Sequence, residues 1–276
     1  MSILTEQPEI EICVVGFDSA WTDRPKKPGA ICAVTLTGGN IIAHHPPRLV
    51  SFVEALEFIN EIAAKSSVLL VALDQPTVVP NQTGSRPVER VAASVISWMG
   101  GGVQPANRGK VGMFDDEAPI WRFIQGLGAL QLPEKARTAT QGRYIIEVFP
   151  ALALAALDSE FFQRLGAPRY NPERPTFKSN DWGRVISAVH REAKRLGFDE
   201  IANWVEGFNL NSVKKADQDQ LDSIICLLIG LRWRLEPRNA SAMLGTVEKG
   251  YIVTPTTIPL QSRLAAKAQL RNVPLV

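Results

Sequence analysis

Three acidic residues interrupt apolar runs of this sequence, where an ionised side chain is costly to bury without a partner. Each ends, follows or lies within a short apolar segment: Asp18 in EICVVGFD (11–18), Asp74 after VLLVAL (68–73), and Glu147 in YIIEVF (144–149). Taken singly, each acid fits a structural role, as a helix cap or a hydrogen-bond acceptor at a strand end. Their recurrence at three such segments also allows a shared functional site.

Two further acids lie on a segment with helical periodicity. In ADQDQLDS, Asp219 and Asp222 are three residues apart and share one helix face, whereas Asp217 lies on another side. The same face continues in small residues: Ser223, Cys226 and Gly230. Small side chains let a helix approach a sheet closely, which would bring both carboxylates towards the strand-end acids. For Asp217 and Asp219 the structural alternative is an acidic first turn that faces the helix dipole.

A set of carboxylates without histidine or cysteine is typical of a site for a hard cation such as Mg²⁺ or Mn²⁺. Two such ions, held about 3.5–4 Å apart, activate water and stabilise the leaving oxygen of a phosphodiester. The predicted catalytic and metal-binding residues are therefore Asp18, Asp74, Asp219 and Asp222, with Glu147 as a further candidate ligand. The metal charge would also offset the repulsion between the carboxylates.

The elements that must position these acids are predicted from hydrophobic periodicity. The apolar segments that carry Asp18, Asp74 and Glu147 are predicted strands, and residues 30–37 and 41–45 form a predicted hairpin. Helices are predicted after the capping-box pair Ser51 and Glu54, over the apolar positions from Val88 to Met99, from Pro150 to about Leu165, after Asn180, after Asp199 and over 216–235. Residues 250–254 are a predicted late strand. The order of strands and helices indicates a mixed α/β sheet.

Composition excludes several other classes of protein. The chain has 276 residues, 45% of them hydrophobic, as expected for a packed globular protein. Its net charge of +2 does not by itself indicate a protein that binds nucleic acid. The longest nearly apolar run, 148–157, contains a proline and is too short to span a membrane. Residues 1–11 lack the basic start of a signal peptide, and the three cysteines lie in apolar runs. These features predict a cytoplasmic protein with reduced thiols.

Six segments, in order along the chain, resemble the domain-of-unknown-function family 429: GFDSAW (16–21), ALDQP (72–76), IEVFPALAL (146–154), RYNP (169–172), DQLDSIICLLIG (219–230) and GYIVTP (250–255). That family is regarded as a set of predicted nucleases with a ribonuclease H-like fold. The resemblance implies a mixed sheet of five or slightly more strands flanked by helices. It also implies a single domain over 1–276, with an insertion at about 75–142 and a C-terminal extension at about 256–276. By the family motifs, Asp18 matches the first-strand acid, Asp74 the later strand-end acid, and Asp219 and Asp222 the helix pair.

Basic residues near these acids predict where nucleic acid, DNA or RNA, would bind. The insertion carries four candidates for contacts with phosphates: Arg86, Arg90, Arg108 and Lys110. Seven more lie between Pro168 and Arg195: Arg169, Arg174, Lys178, Arg184, Arg191, Lys194 and Arg195. Together they would form a groove that follows the phosphates beside the acidic centre. A solvated helix face with scattered charges is the competing interpretation.

Two other classes of function share the expected fold. A sugar-kinase-like or actin-like nucleotide-binding protein would carry a glycine-rich phosphate hairpin directly after the first acid, and residues 19–27 contain no glycine. A non-catalytic member of the superfamily would use its acids structurally. The leading prediction is a metal-dependent nuclease, and the sequence carries no signal for the oligomeric state.

Overall fold

The computed structural model describes residues 10–276, so the acidic start at residues 1–11 lies almost entirely outside the described residues. Five strands form the central sheet: β1 Ile12–Asp18, β2 Gly29–Thr37, β3 Asn40–Val50, β4 Val68–Asp74 and β5 Gly142–Glu147. Their order is β3-β2-β1-β4-β5. Strand β1 is antiparallel to β2 and β2 to β3, whereas β1, β4 and β5 are parallel. The predicted mixed five-stranded sheet is confirmed, and its arrangement is consistent with a ribonuclease H-like fold.

Helices cover both faces of this sheet. They are α1 Phe52–Ile62, α2 Pro87–Ile96, α3 Pro119–Leu127, α4 Pro133–Thr138, α5 Pro150–Leu157, α6 Ser179–Arg195, α7 Asp199–Glu206, α8 Lys215–Leu235 and α9 Ile258–Gln269. Helices α1 and α3 pack against one face, where Phe17 and Leu73 point, and α6 to α8 pack against the other. Helix α1 begins at the predicted capping box, in which Ser51 and Glu54 satisfy each other's backbone N–H groups.

The small-residue face of α8 packs directly on β1 and β4, as its sequence predicts. A Cβ atom on Gly230 would lie 3.1 Å from Val14 Cγ1 and 3.2 Å from Ala72 Cβ. The approach is closest at Gly16 of β1, where a Cβ atom would lie 2.1 Å from the carbonyl oxygen of Ser223. Because helix and strand touch at this point without an intervening side chain, α8 has a fixed position relative to the end of β1.

A two-stranded sheet lies beyond the central one and consists of β6 Ser241–Thr246 and β7 Gly250–Pro255. Strand β7 confirms the predicted late strand, whereas β6 was not predicted. A bridge between Val148 and Val253 links this hairpin to the chain just after β5. Helix α9 follows the hairpin, and its Leu260 and Leu264 share a core with Val88 of α2. The C-terminal segment therefore packs against the segment between β4 and β5.

Two segments differ most from the sequence-based expectation. The helix predicted from Pro150 to about Leu165 ends at Leu157, because the Asp158 carboxylate accepts the Glu160 backbone N–H (2.9 Å) and Asp158 is extended, with φ −147°. The segment between β4 and β5 contains three short helices, of which the sequence predicted only α2.

Within residues 10–276, none of the helices has the length and apolar character that crossing a bilayer requires.

Candidate active site at the carboxyl edge of the sheet

Asp18 and Asp74 come together because their strands are parallel neighbours. They end β1 and β4 and are partners in the parallel ladder, and neighbouring strands lie about 4.8 Å apart. Side chains alternate between the faces of a strand, so both acids share the face of Val14 and Ala72, which packs against α8. The first two predicted carboxylates therefore lie side by side on the α8 face of the sheet.

Helix α8 brings the other two acids to the same edge. Its Ser223 contacts Gly16, two residues before Asp18, and the turn that precedes this contact carries Asp222 and Asp219. Asp18 and Asp222 are 8% and 6% exposed, and the Asp219 side chain is 13% exposed. The four predicted carboxylates thus converge in the structure, although 204 positions (222 − 18) separate the first from the last in the sequence.

Burial and mutual repulsion make these carboxyl groups hard to ionise. Burial, followed by the charges of Asp222 and Asp74, holds the pKa of Asp18 well above its usual range. Burial and the charge of Asp222 do the same for the pKa of Asp74. Burial raises the pKa of Asp222 to about 6, although Lys215 and a hydrogen bond from Tyr170 act in the opposite direction. Such shifts are typical of functional sites, because a stable fold alone has no need of clustered like charges.

Three residues that the sequence did not single out hold the helix acids in place. The Lys215 ammonium pairs with Asp219 Oδ1 and donates to Gln218 Oε1 (3.0 Å). The Tyr170 hydroxyl donates to Asp222 Oδ1 (2.7 Å), and Gln218 Nε2 donates to Asp222 Oδ2 (2.8 Å). Burial alone would lower the pKa of Lys215, but the charges of Asp18, Asp219 and Asp222 outweigh it and raise that pKa.

Sequence signals for two of these residues exist. Lys215 precedes Asp219 by four positions, the spacing of a helical ion pair. Tyr170 belongs to the RYNP segment that contributed to the family resemblance without an assigned role.

Glu147 and Arg86 form a buried ion pair beside the four carboxylates. Both Glu147 oxygens accept from the Arg86 guanidinium, at 2.5 Å and 2.8 Å, and one also accepts the backbone N–H of Thr77 (3.0 Å). Arg86 is 1% exposed, and its remaining contacts go to Glu89 and to the carbonyl of Val78. Both residues line a cavity that Asp74 also lines, and because the Glu147 oxygens are engaged in this ion pair, its role as a metal ligand stays a prediction. The predicted phosphate contact of Arg86 does not fit this conformation, because its guanidinium is enclosed by Glu147, Glu89 and the Val78 carbonyl.

Two cavities open beside the acids. One, of about 430 Å³, is lined by Asp18, Asp219 and the exposed Lys26 and Lys27. The other, of about 370 Å³, is lined by Asp18, Asp74, Asp222, Arg174 and Gly102. Asp18, Trp21 and Lys215 line both. The two cavities therefore adjoin at Asp18, Trp21 and Lys215, and together they are here called the acidic cleft, whose lining includes both the acids and basic side chains.

The basic residues predicted from the sequence separate into those near the acidic cleft and those away from it. Arg90, Arg108 and Lys110 line neither cavity, and Arg108 pairs with Asp116. In the segment after Pro168, four basic residues have acidic partners: Arg184, Arg191, Lys194 and Arg195. Arg169 and Arg174 are exposed and form no ion pair within the described part of the chain. Arg174 lines the acidic cleft, and both line the adjoining cavity at Gly100–Gly102.

The chemistry of the four carboxylates fits a divalent cation that prefers oxygen ligands. Across residues 10–276, however, no three His, Cys, Asp or Glu side chains lie in an arrangement that is ready to hold a metal ion. The helix acids instead direct their oxygens to Lys215, Tyr170 and Gln218. The oxygen ligands that such a metal needs are present, and hydrogen bonds or ion pairs within the protein engage two of the four carboxylates, Asp219 and Asp222.

Comparisons with known proteins give one match. A search of curated proteins and a search of solved structures each returned no match to this chain. The model of a family described as "Protein of unknown function (DUF429)" matches residues 16–241, a span that includes all four carboxylates of the acidic cleft. Since this match covers most of the 276 residues, the chain belongs to the DUF429 family.

Proposed function

We propose that the protein is a metal-dependent nuclease that hydrolyses phosphodiester bonds in the acidic cleft. The observation that carries this proposal is the convergence of Asp18, Asp74, Asp219 and Asp222 from three elements, at a raised pKa, in a cleft that is open to solvent. In such a site Mg²⁺ or Mn²⁺ supplies a water activated for attack and positive charge for the leaving oxygen. Asp18, Asp74, Asp219 and Asp222 would hold the ion.

The chain's own residues prepare this site in two ways. Tyr170 and Gln218 donate to different oxygens of Asp222 and so fix the orientation of its carboxylate. The Lys215 ammonium lies among three carboxylates and lines both cavities, and in this proposal it would contact a phosphate oxygen of the substrate. A lysine at this position reduces the repulsion that an anionic substrate would meet at an acidic centre.

Metal-dependent thermal shift tests the proposal. A divalent ion that binds only the folded chain stabilises it by about 2.7 kcal/mol at a concentration 100 times Kd. Mg²⁺ or Mn²⁺ should therefore raise the Tm of the wild type, and should raise it less for Asp18→Asn. The exposed Glu57→Gln in α1 is the matched control and should respond like the wild type. Cleavage of labelled DNA and RNA oligonucleotides should be lost in Asp18→Asn alone.

Other outcomes would favour the two alternatives. An equal rise in Tm for the wild type and Asp18→Asn removes the metal site, and with it the proposal. Protection by ATP, without cleavage of an oligonucleotide, favours a nucleotide-binding protein. Absence of any response to metal, ATP or nucleic acid favours a non-catalytic role for the acids.

A further inference from the structure

Trp21 occupies a position that the proposed chemistry does not use. It follows Asp18 by three residues in the loop between β1 and β2, and it lines both cavities of the acidic cleft. The loop that carries it is anchored at Asp23, whose Oδ1 accepts the Phe52 N–H at the start of α1 (2.9 Å). The indole is thus held beside the acidic centre by the same strand end that places Asp18.

The backbone of Trp21 has a conformation that a bulky residue adopts rarely. Its φ is +46°, in the left-handed region that glycine and asparagine prefer. Strain of this kind persists where the surrounding structure enforces it, and it concentrates at binding and catalytic sites. A large aromatic side chain at this position therefore needs an explanation that a turn alone does not provide.

Packing covers part of the ring, because Trp21 lies against a small core cluster of Val79, Ala106 and Phe114. The indole meets Phe114 in an edge contact, with centroids 5.7 Å apart, and the residue remains half-buried. Trp121, Trp182 and Trp233 donate their indole N–H groups to backbone carbonyls, whereas Trp21 has no such acceptor within residues 10–276. Over the same residues, Trp21 shares this lack of an acceptor with Trp98 and Trp204, but of these three only Trp21 lines the acidic cleft.

We propose that Trp21 is a positioning residue whose indole stacks on a nucleobase of single-stranded nucleic acid lying in the acidic cleft. This inference rests on the proposed nuclease function and specifies the substrate class. Bases in a continuous duplex are stacked on each other and closed to an indole, whereas an unpaired base offers a free face. Lys26, Lys27 and Arg174 line the cleft and could contact the flanking phosphates, although Lys27 also pairs with Glu173 (3.8 Å).

Equilibrium binding of two labelled oligonucleotides tests this inference. One is a single-stranded 12-mer, and the other is an abasic strand with the same length and charge. Both are measured in the Asp18→Asn background, which prevents cleavage. Trp21→Leu should weaken binding of the 12-mer by roughly 5- to 150-fold, the range for loss of one stacked base, and should leave the abasic strand unaffected. Trp21→Phe should restore most of the affinity.

Two further variants separate stacking from folding. Trp204→Leu removes another half-buried indole, on α7, and should leave both affinities unchanged. Trp21→Asn removes the ring but suits the left-handed backbone, so it should fold and bind as Trp21→Leu does.

The possible results separate this inference from the proposed function. Equal weakening of both strands in the Trp21 variants, or no weakening of either, overturns stacking while the nuclease proposal stands on cleavage by the wild type. Failure of the wild type to bind or cleave any strand overturns both.

Discussion

Asp18 and Asp222 have carboxyl groups that ionise less readily in the folded chain than in the unfolded one. Burial raises the pKa of Asp222 from 3.8 to about 6, so between these pH values the folded state binds more protons than the unfolded state. Stability therefore falls as pH rises from about 4 to about 6, and the full cost of the buried charge remains at neutral pH. The carboxylate cluster is thus a destabilising feature of the metal-free protein.

Asp18→Asn should consequently stabilise the metal-free protein at neutral pH. The variant removes a buried charge that Asp222, Asp74 and Asp219 all repel. We expect the free energy of unfolding to rise by roughly 0.5–2 kcal/mol, the usual gain from a single stabilising substitution. Thermal unfolding in EDTA at pH 5 and pH 7.5 measures it, and the gain should be larger at pH 7.5. A lower Tm for the variant at pH 7.5 would show that the cluster stabilises the fold.

Arg86 illustrates how much a single ion pair inside this fold contributes. Arg86→Met leaves the buried carboxylates Glu147 and Glu89 without their cation. Removal of one partner from a buried pair costs about 3–5 kcal/mol, because the remaining charge stays buried. Chemical denaturation should show a loss of this size. Arg90 is exposed on α2, the helix that Arg86 precedes, and Arg90→Met should change the free energy of unfolding by less than about 0.5 kcal/mol. Equal effects of the two variants would contradict the assignment of Arg86.

At the scale of elements, the sequence-based prediction was most accurate for segments whose hydrophobic pattern matches their burial in the structure. The apolar runs before Asp18 and Asp74 became β1 and β4, and the small-residue face of α8 lies on the sheet as expected. Helices α3 and α4 and strand β6 were missed, because they lack the nearly unbroken apolar runs that mark β1 and β4, which are just as short. Short segments depend on tertiary contacts for their stability, and their own sequences carry a weak signal.

The contact between β1 and α8 gives a prediction at this scale. Gly16→Ala would place a Cβ atom 2.1 Å from the Ser223 carbonyl oxygen and 2.3 Å from the Leu227 N atom. Backbone atoms cannot rotate away, so α8 must shift, and we expect a loss of at least about 1–3 kcal/mol, the usual cost of overpacking. Metal affinity should fall as well, since Asp219 and Asp222 move with the helix. Gly102→Ala is the control, because no atom lies within 4 Å of its added Cβ atom. Unaltered stability in Gly16→Ala would show that the helix is free to move away.

At the scale of the whole molecule, the sequence identified the acids better than their partners. Asp18, Asp74, Asp219 and Asp222 stand out locally, because each interrupts an apolar run or shares a helix face with a small residue. The pairing of Arg86 with Glu147 joins residues 61 positions apart, and the bond from Tyr170 to Asp222 spans 52. A local pattern of charge does not show such pairings, which depend on topology. For that reason a phosphate-binding role was assigned to Arg86 and Tyr170 was overlooked, whereas Lys215, four residues before Asp219, had a local signal that was not used.

The distribution of unpaired basic residues leads to the last prediction. A net charge of +2 gives little general attraction for nucleic acid, so affinity must come from local cations at the acidic cleft. Arg169 and Arg174 are exposed and unpaired within residues 10–276 and line the cavity that continues from the cleft. Each phosphate contact on a single strand contributes about 0.7 to the slope of log affinity against log salt concentration. The double variant Arg169→Ala/Arg174→Ala should therefore bind a single-stranded oligonucleotide more weakly and reduce that slope by about 1.4.

The control variant Arg191→Ala/Lys194→Ala removes two cations from α6 whose partners are Asp158 and Asp199, and it should leave the slope unchanged. The reverse result would place the path of the strand on α6, because only the cations that release counterions change the salt dependence of binding.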